Sequence, residues 1–168
     1  MKNQIISRLG AFLVDYLVIL GYAGILFLIV RLFNLEINGP VSGQIIGFFG
    51  LTIPVFLYFS LAERSPAGAT IGKKVFKLKV ISQYSRNRVI LRNLLKFLPW
   101  EIAHTGVHWI VYYSRQGTDA PAWVFVLLVV PQVIMLFYIA SVVYSKGTGS
   151  VYDHIAGTRV MPHAVRGK

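Results

Sequence analysis

Glu101, His104 and His108 stand at positions i, i+3 and i+7 of one segment. At about 100° per residue they share an arc of roughly 60° on a helix face. Pro99 lies just ahead of them, where a helix starts or kinks. One carboxylate and two imidazoles on a stripe suit three kinds of chemistry. The first is a hydrogen-bonded polar stripe turned towards the protein interior, its partners being Asp15, Thr52 or Gln132, because polar groups in a membrane find such partners. The second is a proton or cation relay, since imidazoles titrate near neutrality and carboxylates hold hard cations. The third is a metal site. His104 and His108, four apart, can reach one ion from a single face, and Glu-x-x-His spacing occurs in helix-bundle carboxylate centres. With Asp15 or Glu63 added, that donor set suits zinc, iron or manganese better than calcium. The sequence leaves all three open.

Asp15 is the second feature that calls for chemistry. It interrupts an otherwise uncharged apolar stretch headed by Arg8. An ionised carboxylate in hydrocarbon costs several kcal/mol, so such a residue pairs, titrates or faces a bundle interior. Arg8 and Asp15 are seven residues apart, on one helix face but too distant for a direct intrahelical pair. Each therefore needs a partner from elsewhere in the chain. For Arg8 the sequence offers Asp153, charged and near the same interface, or a lipid phosphate held bidentately.

The elements that must position these groups are membrane helices. The 168 residues are 55% hydrophobic, too apolar for a soluble domain of this length. Residues 9–30, 41–62 and 120–144 carry no charged side chain apart from Asp15, and each is long enough to cross about 30 Å of hydrocarbon. The first is too long for a signal-peptide core and lacks a cleavage site, so it reads as a retained anchor. Seventeen Lys and Arg against six Asp and Glu give a net charge of +11. Nine of the basic residues lie between Ala62 and Phe97, with Lys2 and Arg8 before the first span and Lys146, Arg159, Arg166 and Lys168 after the last. The positive-inside rule then places both termini and the central loop in the cytoplasm, at the plasma (inner) membrane. Anionic lipid headgroups are the expected electrostatic partner. Nucleic acid is not, for no aromatic-basic platform accompanies the charge. Segment 93–113 holds Lys96, Glu101 and two histidines, yet parity favours its crossing: without it the basic tail would lie outside, the alternative being a re-entrant or interfacial helix that violates the charge rule. The expected spans are thus 9–33, 43–62, 93–113 and 120–144, with a loop at 63–92 and a tail at 145–168.

The first two spans are joined by a turn carrying Asn38-Gly39-Pro40, and Gly43, Gly47 and Gly50 allow close helix contact. In the loop, Thr70-Ile71-Gly72-Lys73 leads into Val75 to Ile81, whose alternation predicts a strand with one wet face. A phosphate-loop reading fails, because Gly68 to Gly72 is one residue too short and Lys74 occupies the Ser/Thr place. In the tail, Asp153 is placed to cap a short helical turn closed by Gly157, and Thr158 to Met161 can pair with the loop strand. The chain has no cysteine, which excludes disulfides and thiolate chemistry, and no nucleophile with an adjacent base is recognisable. An enzyme is not expected.

Three of these pieces together resemble the RDD membrane family: Arg8 with Asp15 in the first span, Thr70-Gly72-Lys73 ahead of the strand, and Asp153-x-x-Ala156-Gly157-Thr158 in the tail. The resemblance runs over nearly the whole chain and makes Arg8, Asp15 and Asp153 the family's arginine and two aspartates. It implies a single all-α membrane domain, a four-helix transmembrane bundle with a small cytoplasmic β-containing cap. Some members of that family have been proposed to exchange sodium or related cations for protons, and eukaryotic relatives look like scaffolds in quality-control complexes. Two functions are therefore carried forward. One is cation or proton movement through a path containing Asp15, Glu101, His104 and His108, in a homo-oligomer because so short a chain builds a full path poorly alone. The other is a non-catalytic scaffold or lipid- and partner-binding module.

Overall fold

The computed structural model describes residues 4–34 and 38–163. Lys2, Arg166, Lys168 and part of the expected outer turn lie outside the described residues. The described residues are mostly helical, and among them are three helices apolar and long enough to span a membrane and one two-stranded sheet.

Helix α1, Gln4–Leu32, is uninterrupted because no proline falls inside it, and its buried residues are Ser7, Ala11 and Asp15. They repeat every four positions and so form one narrow stripe. Most of the large apolar side chains on its other faces, Leu9, Phe12 and Leu17 among them, are exposed. Lipid tails are the natural solvent for such faces.

The second apolar run, 40–64, is helical throughout but not uniform. Helix α2, Pro40–Gly47, starts with proline in its first turn, and α3 covers Ile53–Arg64. Between them Phe48–Thr52 forms one π turn. Pro54 has no N–H to give the carbonyl of Gly50, and the Tyr22 hydroxyl of α1 donates to that carbonyl instead, at 2.6 Å. The same device recurs in α5, Arg88–Gln116, which contains Pro99. The carbonyl four residues earlier, Leu95, accepts from the Tyr138 hydroxyl of α6, Ala122–Tyr144, at 3.2 Å. A neighbouring hydroxyl thus meets the backbone group freed by Pro54 and by Pro99, as a water-free interior requires. Gly117, in the left-handed region at φ 66°, ends α5. Helix α5 packs on α2, α3 and most extensively on α6, whereas α1 meets the remainder chiefly through the loop.

That loop and the tail form a cap. Helix α4, Ile71–Val75, turns through Lys77 at φ 53° into β1, Leu78–Ser82. After α6 comes α7, Val151–Ala156, then β2, Thr158–Pro162, which pairs antiparallel with β1 and sets Val80 opposite Val160. Ala11, Leu78, Val80, Val89 and Val160 form the core, with Phe76 packed against it, so the best-packed region lies where the cap meets the helix ends.

Three expectations are corrected. The strand begins at Leu78, because α4 extends to Val75 and Lys77 makes the turn. The ambiguous segment 93–113 is the middle of a longer helix that starts at Arg88. Asp153 is not the cap residue: Ser150 is, and Asp153 occupies the third helical position, returning a bond to the Ser150 N–H at 2.9 Å in a capping box.

Candidate functional site

Two polar clusters lie in the structure, and the residues expected to act together are divided between them.

The first cluster explains Asp15. Helix α4 presents backbone N–H groups without intrahelical partners at its start, as every helix does. Ile71 N donates to the Tyr58 hydroxyl at 3.0 Å, Gly72 N to Asp15 Oδ1 at 2.9 Å, and Lys73 N to Thr70 Oγ1 at 3.4 Å. Tyr58 in turn donates to Asp15 Oδ1 at 2.9 Å, and Thr70 Oγ1 donates to Asp15 Oδ2 at 2.6 Å. The intramembrane carboxylate therefore caps a loop helix, and both of its oxygens are occupied. Glycine is required at position 72: a Cβ there would lie 2.0 Å from the Ala11 carbonyl oxygen and 2.9 Å from Asp15 Cγ. That close approach gives the Thr70-x-Gly72-Lys73 run its meaning. It is a docking turn.

An ion network continues from the same turn. Lys73 Nζ lies 2.8 Å from Glu63 Oε1, and Arg92 Nη1 lies 2.5 Å from Glu63 Oε2, which also accepts from Asn93 at 3.0 Å. Arg92 Nε reaches Asp153 Oδ1 at 2.6 Å, while Arg8 Nη2 stands 3.3 Å from Asp153 Oδ2. The Arg8 and Asp153 partnership read from their charges is thus present, and Arg92 shares the same carboxylate. Arg8 also donates to the carbonyl of Gly147, at 3.1 Å, and Thr158 donates to Asp153 at 2.9 Å. Glu63, Arg92 and Asp153 are buried. Burial alone would raise the Asp153 carboxyl, but Arg92 and Arg8 beside it prevail and hold it below the ordinary carboxylate range. Removing one member of such a network leaves a buried charge uncompensated, typically about 3–5 kcal/mol.

The second cluster lies further from the cap. Glu101 accepts from Thr52 Oγ1 at 2.6 Å and from Gln44 Nε2. His104 Nδ1 is 4.0 Å from Glu101 Oε2, beyond hydrogen-bond reach, and the His104 and His108 rings are 4.7 Å apart. The π turn matters here: it brings Thr52 to Glu101, and Gly47 just before it leaves room for the His104 ring, which a Cβ would meet at 2.5 Å. Gln44 Oε1, His104 Nδ1 and His108 Nε2 are buried without a hydrogen-bond partner. Between the clusters Phe59 and Phe56 each stack edge-on against Phe97.

Asp15 and Glu63 belong to the first cluster and Glu101, His104 and His108 to the second. Of the partners expected for the stripe only Thr52 is used, and Gln132 is exposed. Asp15 and Glu63 therefore do not join the stripe as further donors, and among the described residues no group of three or more His, Asp or Glu is arranged around one point. The helices that carry Asp15 and Glu63 deliver them to the cap end, where cations and backbone donors occupy them. Tyr58, Arg92, Asn93 and Gln44 were not legible as site residues, and Glu63 was read only as a metal ligand. The Ser150-x-x-Asp153 spacing is the sequence signal that would have placed the cap at Ser150 rather than Asp153.

Apolar spanning helices tied to a basic cap through buried ion pairs define a helical membrane protein. The model of the RDD family matches residues 3–157, nearly the whole length, and the chain belongs to the RDD family. Neither the curated proteins nor the solved structures contain a match to it.

Proposed function

We propose that this protein carries a cation or a proton across the membrane, with Glu101, His104 and His108 as the intramembrane station. The observation that carries the reading is the set of unpaired atoms around Glu101: Gln44 Oε1, His104 Nδ1 and His108 Nε2. Buried polar groups are normally satisfied, and a group of orphans beside a carboxylate marks a place where a proton, water or small cation resides in passing. Asp15, named for the same path from the sequence, has both oxygens committed and serves the cap instead. In this reading α5 is a fourth crossing that completes a four-helix arrangement. Both termini and the basic cap face the cytoplasm at the plasma (inner) membrane, two or more copies assemble, and no covalent catalysis takes part. The ring contacts of Phe56 and Phe59 with Phe97 then form the barrier between the station and the cap.

The competing reading is a scaffold without flux, favoured by the complete hydrogen bonding of Asp15. Proteoliposomes of the full chain carrying a pH-sensitive dye separate the two. Carriage gives a cation-dependent signal that Glu101→Gln abolishes. No signal from the unaltered chain, or an equal signal from Glu101→Gln, overturns the proposal in favour of the scaffold.

A further inference from the structure

Four cations and three carboxylates meet where the cap joins the helices: Arg8, Lys73, Arg92 and Lys96 against Asp15, Glu63 and Asp153. One positive charge is left over, and the geometry shows which. Arg8, Lys73 and Arg92 each have a carboxylate within 3.3 Å. The Lys96 ammonium lies 3.6 Å from the centroid of the Phe59 ring and 5.4 Å from that of Phe97. Among the described residues no carboxylate comes within 4.0 Å of it and no acceptor takes its hydrogens. The Phe59 face gives the charge a cation–π contact but accepts none of the ammonium's three N–H donors, and leaving those without acceptors is expensive.

Lys96 borders a cavity of about 80 Å³ that Arg8, Lys73, Arg92, Tyr152 and Phe12 also line, together with the Asp15 carboxylate, whose two oxygens already accept from Tyr58, Gly72 and Thr70. Since water occupies about 30 Å³ per molecule, this is room for a few waters or one tetrahedral oxyanion. Phe12 lines the cavity and is itself 53% exposed, so a single side chain separates the space from the outer face of α1. Leu9 and Leu13 on that face are also more than half exposed, an apolar track leading away from the cavity. Arg8 stands near the start of α1, at headgroup height for a helix that enters the membrane there.

We propose that this cavity binds the phosphodiester of an acidic phospholipid, its single negative charge seated among Lys96, Arg8 and Lys73 and its acyl chains lying along α1. One phosphodiester neutralises the surplus charge, supplies acceptors to the Lys96 ammonium, and meets guanidinium and ammonium donors of the kind that recognise phosphate. A free oxyanion would satisfy the charge equally; the position of the cavity directly behind Phe12, on the exposed apolar face of α1, favours the lipid. A headgroup with its own cation would meet the surrounding basic side chains and bind less well.

The test is native mass spectrometry of the delipidated full chain in detergent, titrated with phosphatidylglycerol, phosphatidylcholine or inorganic phosphate. One phosphatidylglycerol is expected to remain bound at a concentration at least tenfold below that needed for phosphatidylcholine. Lys96→Gln weakens retention about tenfold, Lys96→Arg keeps it within about threefold, and Lys74→Gln, at an exposed lysine of α4, leaves it unchanged. Equal retention of the two lipids overturns the proposal, as does undiminished retention by Lys96→Gln. Phosphate binding without lipid preference assigns the cavity to a free anion and overturns it too. Lys96→Gln removes an unpaired cation and orphans no partner, so it is expected to fold. Lipid discrimination by the unaltered chain and the Lys96→Arg result decide independently of it.

Discussion

Replacing Asp15 by alanine deletes the acceptor for three donors at once: the Gly72 N–H, the Tyr58 hydroxyl and the Thr70 hydroxyl. Asp15, Thr70 and Gly72 are buried, and an abandoned buried donor costs about 1–3 kcal/mol. Some relaxation and water entry at the cap end reduce the sum, so Asp15→Ala is expected to lose roughly 3–6 kcal/mol. Asp15→Asn keeps one oxygen for Tyr58 and Gly72, and the Thr70 hydroxyl can turn to accept from the new amide. Its loss is then the charge-assisted share alone, about 1–2 kcal/mol. For a chain of this length 1 kcal/mol moves the melting temperature by about 2–4 °C, so alanine lowers it by roughly 10 °C or more and asparagine by a few degrees. Intrinsic fluorescence of Trp100, Trp109 and Trp123 follows the melt of the solubilised full chain. Limited trypsin digestion supplies a local readout, because a released α4 exposes the bonds after Lys73 and Lys74. If Asp15→Ala melts no lower than Asp15→Asn, or cleavage at those lysines does not accelerate in it, the carboxylate is not the cap of α4.

Gly72→Ala drives a methyl into the Ala11 carbonyl and should lower the melting temperature at least as much as Asp15→Ala; a melt within 2 °C of the unaltered chain would refute the close approach. Tyr22→Phe leaves the Gly50 carbonyl beside Pro54 without its hydroxyl partner, an expected loss of about 1–2 kcal/mol in the same melt, and an unchanged melting point counts against the proline-compensation argument. The Asp153 carboxyl is depressed in the fold, so the stability it contributes is present above the ordinary carboxylate range near pH 4 and is lost as pH falls from there through its folded pKa. Melting temperatures taken from pH 7 down to pH 3 should fall at the acid end, and Asp153→Asn should start lower and fall less; parallel curves for the two chains refute the linkage.

The sequence alone determined the apolar spans, the basic cap, the pairing of a loop strand with a tail strand, and the need of Arg8 and Asp15 for distant partners. These follow from local quantities: length without charge, alternation, and the energy of a charge in hydrocarbon. Identity of partner is not local. Asp15 is met by Tyr58, Thr70 and Gly72 from 43, 55 and 57 residues away, and Arg92 joins Glu63 and Asp153 from 29 and 61 residues away. Periodicity says that Glu101, His104 and His108 share a face, but not that Gln44 and Thr52 stand opposite them. Nor could it tell that the polar residues would divide into two clusters with Phe59 and Phe97 between. That division is set by how far each helix reaches before its π turn, proline or cap stops it, and only the packed helices fix those heights together. Glycine at position 72 shows the same limit: the sequence rules out a phosphate loop there but supplies no reason for the glycine. Only the approach of α4 to the Ala11 carbonyl gives the physical reason that no side chain fits there.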